Sequence, residues 1–523
     1  MGDPLLSIPE TFNVAEYFVD RNVNEGRGEH TAILFQEQKI SYREVADQVQ
    51  RAANLLLAGG LVRGDRLILI LYDSPEFVAT FWGAIRAGVI PIPTNTLLTA
   101  EEYAFMLHDS GARGLVVESS LFQKIEPALN QLPEMKTVWI SGQPHTGGKN
   151  FEDDMALAPT LAVMAATHRD DPAFWLYTSG STGKPKAAIH RHRDMVYCLE
   201  SYAKQVLGIG PPDITFSTSK LFFAYGLGNA LYFPFGVGAT TVLLPERPSP
   251  EKIFETLLRF RPTLFFAVPA VYAAMLQAPG VDTSVMRSVR RAVSAGEALP
   301  APLWARFKDK FGPSILDGIG STEMLHMFIS NRPDDTVPGC SGKLVPGNDA
   351  RIVNEFGHTA PTGEIGELHI RGKSAAAGYW NRPELTQTTF PGEWTLTGDK
   401  YYCDDRGYYW YCGRTDDMMK VSSQWVSPLE VETELLSHPL VYECAVVGAM
   451  DADGLTKPKA FVVLKPTETP PREIEAELRT FLKARLPGYK VPQWIVLAKS
   501  LPRTVTGKIQ RFKLRSPTQG AGK

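Results

Sequence analysis

The chain has 523 residues, of which 44% are hydrophobic and 21% charged. These values are ordinary for a globular enzyme, and the length suggests two or more domains. The formal net charge of -3 provides no global field that would hold a nucleic acid or an anionic membrane, so neither is expected as a partner.

The N-terminus and the cysteines favour a cytoplasmic protein. MGDPLLSIPE lacks the basic flank and long apolar run of a signal peptide. The apolar runs at 67–72 and 264–276 are too short or too interrupted to span a bilayer. Five scattered cysteines without a CxxC pair favour reduced thiols over a disulfide framework or a zinc site.

Apolar runs alternate with amphipathic helical patterns over the first two thirds of the chain. A buried strand at 66–72 precedes a helix at 76–88, which Gly88 would terminate. Further strands are predicted at 114–118, 173–179, 240–244 and 263–268. This alternation predicts an α/β fold with mostly parallel sheets.

The pattern changes after about residue 360, where Gly, Tyr, Trp and turn residues indicate a small sublobe of short antiparallel strands. A compact α/β pattern follows, with strands at 441–450, 460–464 and 494–498. It includes a helix at 473–486 whose apolar residues share one face, namely Ile474, Leu478, Phe481 and Leu482. The polar run GRTDDMMK places a domain boundary at 414–417. We therefore expect a large N-terminal domain of about three sublobes at 1–414 and a small mobile C-terminal domain at 415–523.

The strongest local motif is YTSGSTGKPKA at 177–187. A strand runs into a loop rich in glycine, hydroxyl residues and lysine, in which backbone N–H groups, hydroxyls and ammonium groups can surround a phosphate. The spacing is not that of a Walker A loop, because only two residues separate Gly180 from Gly183 and Pro185 follows Lys184. The alternative is a flexible surface turn, which this density of donors beside a buried strand disfavours.

Glu323 allows two interpretations from the residues alone, because it follows a loop of small residues and could bind Mg²⁺ or act as the N-cap of a following helix. Taken by themselves, Asp399 would be an ordinary turn residue and Lys508 a solvated surface charge.

Six motifs in order resemble the adenylate-forming superfamily, which includes acyl-CoA synthetases, peptide-synthetase adenylation domains and beetle luciferases. Besides the phosphate loop they are SAGEAL (294–299), DGIGSTEM (317–324), TGDKY (397–401), GRTDDMMKVSSQWVSPLEVE (413–432) and PRTVTGKIQR (502–511). The resemblance covers essentially the whole chain. FFAYGLGN (222–229) and GSTEMLHMFIS (320–330) are most similar to benzoate–CoA ligases.

The resemblance implies a nucleotide site, with ATP as the nucleotide and Mg²⁺ on Glu323. Asp399 would bind the ribose, while Tyr411 and Arg414 would pack against it and reach it or a phosphate. The other implied nucleotide residues are Thr178, Ser179, Gly180, Ser181, Thr182, Gly183, Lys186, Gly296, Glu297, Asp317, Gly318, Ile319, Gly320, Ser321, Thr322 and Lys420.

Catalysis is assigned, on the same resemblance, to Lys508, Thr182 and Glu323. The Lys508 ammonium could bridge the substrate carboxylate and the α-phosphate, which lowers the repulsion between the two anions. Asp416 matches the hinge about which the C-terminal domain would turn between two half-reactions. Ser423 departs from the family, which usually has glycine there, and this bears on how closely the stretch lines the coenzyme A channel.

The implied acid pocket combines flat aromatic walls with small residues. Ala224 and Gly226 would leave room for a ring, Tyr225 and His326 would border it, and Phe223 would gate the pantetheine path. Gly318 and Met327 would complete the pocket. For any one of the aromatic residues alone, ordinary core packing is the better interpretation.

The chain is therefore expected to adenylate an aromatic acid, with benzoate the first choice, and to transfer the acyl group to coenzyme A. The alternatives are a carrier-protein-loading aryl acid enzyme, a ligase for a cyclic non-aromatic or other short acid, a luciferase-like oxygenase and a non-catalytic nucleotide sensor. GxGxxG, GxSxG and HExxH motifs are absent from the sequence. We expect only small-molecule partners, namely the acid, ATP and coenzyme A, and a monomer or homodimer.

Overall fold

The structure, a computed structural model, describes residues 8–179, 185–415, 417–421, 424–451, 454–466, 471–503 and 509–515. The helices and strands of the first third of the chain are, in chain order, β1 (Thr31–Phe35), β2 (Gln38–Ser41), α1 (Tyr42–Ala58), β3 (Arg66–Ile70), α2 (Pro75–Arg86), β4 (Ile90–Pro93), α3 (Ala100–Ser110), β5 (Gly114–Glu118), α4 (Ser119–Leu129), β6 (Thr137–Ser141), β7 (Lys149–Asn150) and α5 (Phe151–Leu157).

The middle of the chain continues with β8 (Pro172–Ser179), β9 (Pro185–Arg191), α6 (His192–Cys198), β10 (Ile214–Ser217), α7 (Ala224–Leu227), α8 (Phe233–Val237), β11 (Thr240–Leu243), α9 (Pro250–Phe260), β12 (Leu264–Ala267), α10 (Pro269–Gln277), β13 (Arg291–Ser294), α11 (Ala301–Phe311), β14 (Ile315–Gly320), β15 (Met327–Ser330) and β16 (Lys343–Leu344). Short π-helical turns at Leu199–Leu207 and Gly228–Tyr232 extend α6 and α7.

The last third contains β17 (Asn348–Val353), β18 (Gly366–Gly372), α12 (Pro383–Thr389), β19 (Thr395–Cys403), β20 (Tyr409–Arg414), β21 (Met419–Val421), β22 (Gln424–Val426), α13 (Pro428–Leu436), β23 (Val441–Met450), β24 (Thr456–Leu464), α14 (Pro471–Lys483), β25 (Trp494–Leu497) and α15 (Arg511–Arg515).

Two mainly parallel sheets form the body of the molecule, as the alternating pattern predicts. One has the strand order β4-β3-β5-β6-β7 and is parallel throughout. The other has the order β16-β15-β14-β13-β12-β10-β11-β1-β2 and is parallel from β14 to β1, with antiparallel strands at both edges. Parallel strands buried on both faces explain the nearly continuous apolar runs in the sequence.

The antiparallel sublobe predicted after residue 360 is the sheet β17-β18-β19-β20. The strand predicted at 173–179 forms as β8, but it does not join a parallel sheet. It pairs antiparallel with β9 in a separate hairpin. An apolar run fits either strand direction, and the short connection to β9 selects the antiparallel one.

The C-terminal part has its own core around the sheet β23-β24-β25. Ile474, Leu478 and Leu482 of α14 are buried in this core and Phe481 is half-buried, so the predicted apolar face is confirmed. Met419 packs in the same core. Within the described residues, the structure contains no helix that is both long and apolar enough to cross a membrane.

Candidate active site

The hairpin β8–β9 carries the phosphate-loop motif at its tip. Its register places Thr178 opposite Lys186 and Ser179 opposite Pro185. The tip itself, with Gly180, Ser181, Thr182 and Gly183, lies outside the described residues, so their predicted roles stay predictions. The hairpin is fixed to α3 because the Tyr177 hydroxyl donates to Oδ2 of Asp109 at 2.8 Å.

The second motif lies at the carboxyl end of β14. In parallel register, Ser294 at the end of β13 pairs with Asp317, which brings the turn with Gly296 and Glu297 beside the 317–322 segment. Carboxyl ends of parallel strands are the usual place for ligands in α/β sheets. Burial raises the pKa of Asp317 to about 8, although the Leu299 amide donates a hydrogen bond to its Oδ2 at 3.4 Å.

Glycine is required where β14 meets β15. A Cβ on Gly318 would stand 2.7 Å from the Ile329 carbonyl oxygen and 2.9 Å from Met327 Sδ. A Cβ on Gly320 would stand 2.6 Å from the His326 carbonyl oxygen. The strand that carries Ile319, and the Ser321 and Thr322 that follow, is therefore held close to the predicted acid-pocket residues His326 and Met327.

Glu323, Lys186 and Tyr379 form a connected cluster next to the phosphate hairpin. Lys186 Nζ donates to the Tyr379 hydroxyl at 2.6 Å, and that hydroxyl donates to Glu323 Oε1 at 2.6 Å. Lys186 Nζ also lies 3.5 Å from Glu323 Oε1 and 4.1 Å from the centroid of the Tyr379 ring. The arrangement places one cation and one carboxylate around a neutral phenol.

Glu323 is an ionised carboxylate. Burial raises its pKa, but Lys186 and the hydrogen bond from Tyr379 outweigh burial, and the net pKa lies below the ordinary value. The N-cap interpretation of Glu323 is wrong, because the next element is the strand β15 and not a helix. The single carboxylate fits Mg²⁺, which commonly takes one or two protein ligands together with phosphate oxygens and water.

A buried histidine supports the loop that carries Glu323. His190 Nε2 lies 2.8 Å from the Thr322 carbonyl oxygen, and His190 Nδ1 lies 3.3 Å from Asp194 Oδ2. His190 and Asp194 are both fully buried. Through these contacts His190 ties strand β9 to the 322–323 segment.

The predicted ribose site lies on the antiparallel sublobe, where the β19–β20 register pairs Asp399 with Arg414. Arg414 Nη1 donates to Asp399 Oδ1 at 3.0 Å and to the Thr397 carbonyl at 2.7 Å. The Tyr411 ring lies 5.4 Å from the Tyr401 ring. Asp399 belongs to strand β19, so the interpretation as an ordinary turn residue is wrong.

The predicted acid pocket converges on His326. Its ring centroid lies 5.6 Å from that of Tyr225, and its Nε2 lies 3.2 Å from Asn229 Oδ1. Burial lowers the pKa of His326 to about 3, so the imidazole is neutral. The Tyr225 hydroxyl donates to the Val293 carbonyl at 3.2 Å, and Phe223 and Ala224 are half-buried at the start of α7.

The expectation that Gly226 leaves room for the ring is wrong. A Cβ on Gly226 would stand 2.1 Å from the Lys220 carbonyl oxygen and 2.4 Å from that of Ser219. The space beside this glycine is filled by backbone, so Gly226 allows a close chain approach and does not open the pocket.

The C-terminal assignments cannot be placed in the same way. Lys508, Asp416 and Ser423 lie outside the described residues, and so does the side chain of Lys420, whose backbone pairs with Trp425 in the β21–β22 hairpin. Arg503 forms a bridge with Ile509, which brings together the two ends of the segment that contains Lys508.

Sequence analysis missed Tyr379, His190, Asp194 and Asn229. Asn229 lies inside the quoted FFAYGLGN motif, so its motif could have drawn attention to it. Tyr379 and His190 carry no such signal, because their roles depend on neighbours 56 and 132 residues away in the chain.

A hairpin that carries a glycine-rich motif, an ionised carboxylate beside a lysine, and a carboxylate–arginine pair across two antiparallel strands together define a nucleotide-binding α/β enzyme. The chain belongs to the AMP-binding enzyme family, whose main domain matches residues 19–380 and whose C-terminal domain matches residues 430–508.

Several relatives match nearly the whole chain. The benzoate–CoA ligase of Thauera aromatica is 47% identical over 98% of this chain and 97% of its own length. The 4-hydroxybenzoate–CoA/benzoate–CoA ligase of Rhodopseudomonas palustris is 44% identical over 97% of this chain and 95% of its own length. The resemblance drawn from the motifs is thereby confirmed.

Solved structures agree in fold. The anthranilate CoA ligase AuaEII in complex with anthranoyl-AMP has a TM-score of 0.92 at 41% identity, covering 97% of each chain. A benzoate CoA ligase from Burkholderia xenovorans LB400 has a TM-score of 0.90 at 44% identity, and the match covers 97% of this chain and 100% of that one. The expected fold class, with a large N-terminal and a small C-terminal domain, is confirmed by these structures.

Proposed function

We propose that this chain is an ATP-dependent ligase that adenylates an aromatic carboxylic acid, with benzoate the preferred acid, and then transfers the acyl group to coenzyme A. The products are aryl-CoA, AMP and pyrophosphate. The observation that carries the proposal is the Lys186–Tyr379–Glu323 cluster at the phosphate hairpin, joined through β14 to an aromatic pocket around Tyr225 and His326. Relatives whose sequences match nearly the whole chain are named as ligases that join benzoate to coenzyme A.

The first half-reaction places each charge near an opposite one. Lys186 would neutralise the triphosphate, and Asp399 would accept the ribose hydroxyls. Glu323 would hold Mg²⁺, which when bound screens the phosphate charges. Lys508 would lie between the acid carboxylate and the α-phosphate, so that the carboxylate oxygen attacks phosphorus and pyrophosphate leaves.

The second half-reaction is thiolysis of the acyl adenylate. The coenzyme A thiol, after losing its proton, attacks the acyl carbon, and AMP departs as a far better leaving group than the hydroxide of the free acid. We assign the hinge between the two steps to Asp416 and the domain boundary to 414–417.

The neutral pocket wall suits a flat ring. A half-buried Tyr225, a neutral His326 and the Met327 thioether provide apolar contact for an aryl group. A long flexible chain would need a tunnel instead. We further propose that the enzyme works in the cytoplasm as a monomer or homodimer, in keeping with its five free cysteines.

A panel of acids tests the proposal. Benzoate, hydroxybenzoates, 2-aminobenzoate, cyclohexanecarboxylate, octanoate and acetate are each supplied with ATP, Mg²⁺ and coenzyme A, and pyrophosphate release and thioester are measured. Benzoate should give the highest kcat/KM. A straight-chain acid at the top of the panel would overturn the aromatic assignment, and pyrophosphate release without thioester would favour a carrier-protein acceptor.

A further inference from the structure

The segment 376–382 runs alongside β9, where Tyr379 forms an isolated antiparallel bridge with Ala188, and we call this segment the strap. The Ala377 amide donates to the Ile189 carbonyl at 2.8 Å, and the Ile189 amide donates to the Gly378 carbonyl at 3.0 Å. The Trp380 amide donates to the Ala187 carbonyl at 3.0 Å. These bonds fix the register of Tyr379 against the phosphate hairpin, so the phenol cannot slide relative to Lys186.

The strap is also anchored on its far side. Trp380 Nε1 donates to the Asp109 carbonyl at 2.9 Å, and Arg382 Nη2 donates to Asp109 Oδ1 at 2.7 Å. The other carboxylate oxygen of Asp109 accepts the Tyr177 hydroxyl of β8 at 2.8 Å. One residue of α3 therefore ties the strap and the hairpin to the same point.

A third contact joins the strap to the loop that bears Glu323, because the Ala376 amide donates to the Glu323 carbonyl at 2.7 Å. Tyr379 is thus attached through backbone bonds to both segments whose charged side chains it contacts. Backbone bonds on both sides hold the main chain of Tyr379 in place, which preorganises its phenol between the two charged groups.

We propose that Tyr379 is a positioning residue that keeps the 3.5 Å ion pair of Lys186 and Glu323 from closing to a direct hydrogen bond, so that both side chains are available to a magnesium-complexed triphosphate. The inference rests on the proposed function. The ammonium and the carboxylate are only 3.5 Å apart, and a partly buried pair at this distance attracts strongly. The phenol gives each of them one hydrogen bond to a neutral group, which costs less to exchange for a ligand than a hydrogen-bonded ion pair.

The test uses Tyr379→Phe, which removes only the hydroxyl. Its matched control is Tyr103→Phe, a fully buried tyrosine whose hydroxyl donates to the Asn95 carbonyl at 3.0 Å. The Mg²⁺ dependence is measured twice in the full-length protein, by calorimetric binding of a non-hydrolysable ATP analogue and by the rate of benzoyl-AMP formation. Thioester formation from pre-made benzoyl-AMP and coenzyme A, which needs no pyrophosphate chemistry, is measured separately.

In Tyr379→Phe the Mg²⁺ concentration for half-maximal analogue binding should rise about tenfold, the size expected for a charge-assisted hydrogen bond. Benzoyl-AMP formation should show the same shift, while thioester formation and all properties of Tyr103→Phe stay unchanged. A Mg²⁺ titration that superimposes on that of the unsubstituted protein overturns the proposal. Equal loss in both half-reactions also overturns it, because that pattern indicates general structural support.

Lys186→Gln supplies a second test, in which the effect of Tyr379→Phe is compared with and without the ammonium and does not rest on the Tyr379→Phe protein alone. Without the ammonium there is no ion pair that could close, so adding Tyr379→Phe to Lys186→Gln should shift the Mg²⁺ dependence no further. An additive shift contradicts the proposal. If no acid gives an acyl adenylate, the proposed function fails, and the analogue-binding titrations still report on Tyr379.

Discussion

Gly228→Ala probes the packing of the predicted acid pocket. A Cβ at this position would lie 2.4 Å from His326 Cδ2, 2.7 Å from His326 Nε2 and 3.0 Å from the Tyr232 hydroxyl. The first of these is about 1 Å shorter than an ordinary carbon–carbon contact. His326 is confined on other sides by Phe233, with ring centroids 4.5 Å apart, and by its hydrogen bond to Asn229.

The sign of the change in the free energy of unfolding distinguishes a steric clash of the new Cβ from the gain that alanine brings to a helical backbone. The backbone at Gly228 is right-handed helical with φ of -66°, so alanine in open space would stabilise the protein by roughly 0.5–1 kcal/mol. Overpacking costs about 1–3 kcal/mol instead. We expect a net loss of stability, together with a benzoate kcat/KM that falls roughly five- to hundredfold if the same free energy is lost from binding.

Urea denaturation and steady-state kinetics measure both effects, and the KM for MgATP should not change. Gly488→Ala is the control, because a Cβ there meets nothing within 4 Å. A Gly228→Ala protein that is as stable as the unsubstituted one, with unaltered benzoate kinetics, would refute the close packing of His326 against this turn.

Three further predictions concern catalysis, substrate size and pH. Lys508→Ala should abolish benzoyl-AMP formation yet keep thioester formation from pre-made benzoyl-AMP, and loss of only the second step would contradict the assignment. Ala224→Phe should exclude benzoate but spare a smaller acid such as acetate in the same pyrophosphate assay; equal loss for both acids would speak against a pocket at this residue. Burial raises the pKa of Asp317 to about 8, above the unfolded value of about 3.9, so the folded state binds more protons between these values. The contribution of Asp317 to the free energy of unfolding is therefore fully present below about pH 4 and is lost as the pH rises to about 8. The free energy of unfolding of Asp317→Asn should not show this decline with pH. If the free energies of unfolding of the two proteins change with pH in parallel, the raised pKa of Asp317 is contradicted.

Much of the fold follows from local patterns. The strands at 114–118 and 441–450 have the predicted bounds, because β-branched and apolar residues are flanked there by clear breaks. The helix predicted at 76–88 spans Pro75–Arg86 and is followed by Gly88 with φ of +74°. Strand direction was not predictable for 173–179, since an apolar run does not encode its pairing partner.

Site residues were predictable from the sequence where a single motif contains them. They were not predictable where their role depends on contacts between segments that are distant in the chain. Glu323 and Lys186 belong to recognisable motifs, but the phenol between them comes from the strap, whose place beside β9 depends on backbone bonds between distant segments. At Gly226 the sequence led to a wrong prediction. A small residue suggests free space in a sequence, and here the Ser219 and Lys220 carbonyls occupy that space.

The most direct test of the central claim follows an oxygen atom. Benzoate labelled with ¹⁸O in both carboxylate positions is incubated with the enzyme, ATP, Mg²⁺ and coenzyme A, and the nucleotide product is analysed by mass spectrometry. Attack of the carboxylate on the α-phosphate, followed by thiolysis at the acyl carbon, predicts AMP that carries one ¹⁸O atom and pyrophosphate that carries none. Unlabelled AMP, or ADP as the product, would contradict an acyl adenylate intermediate.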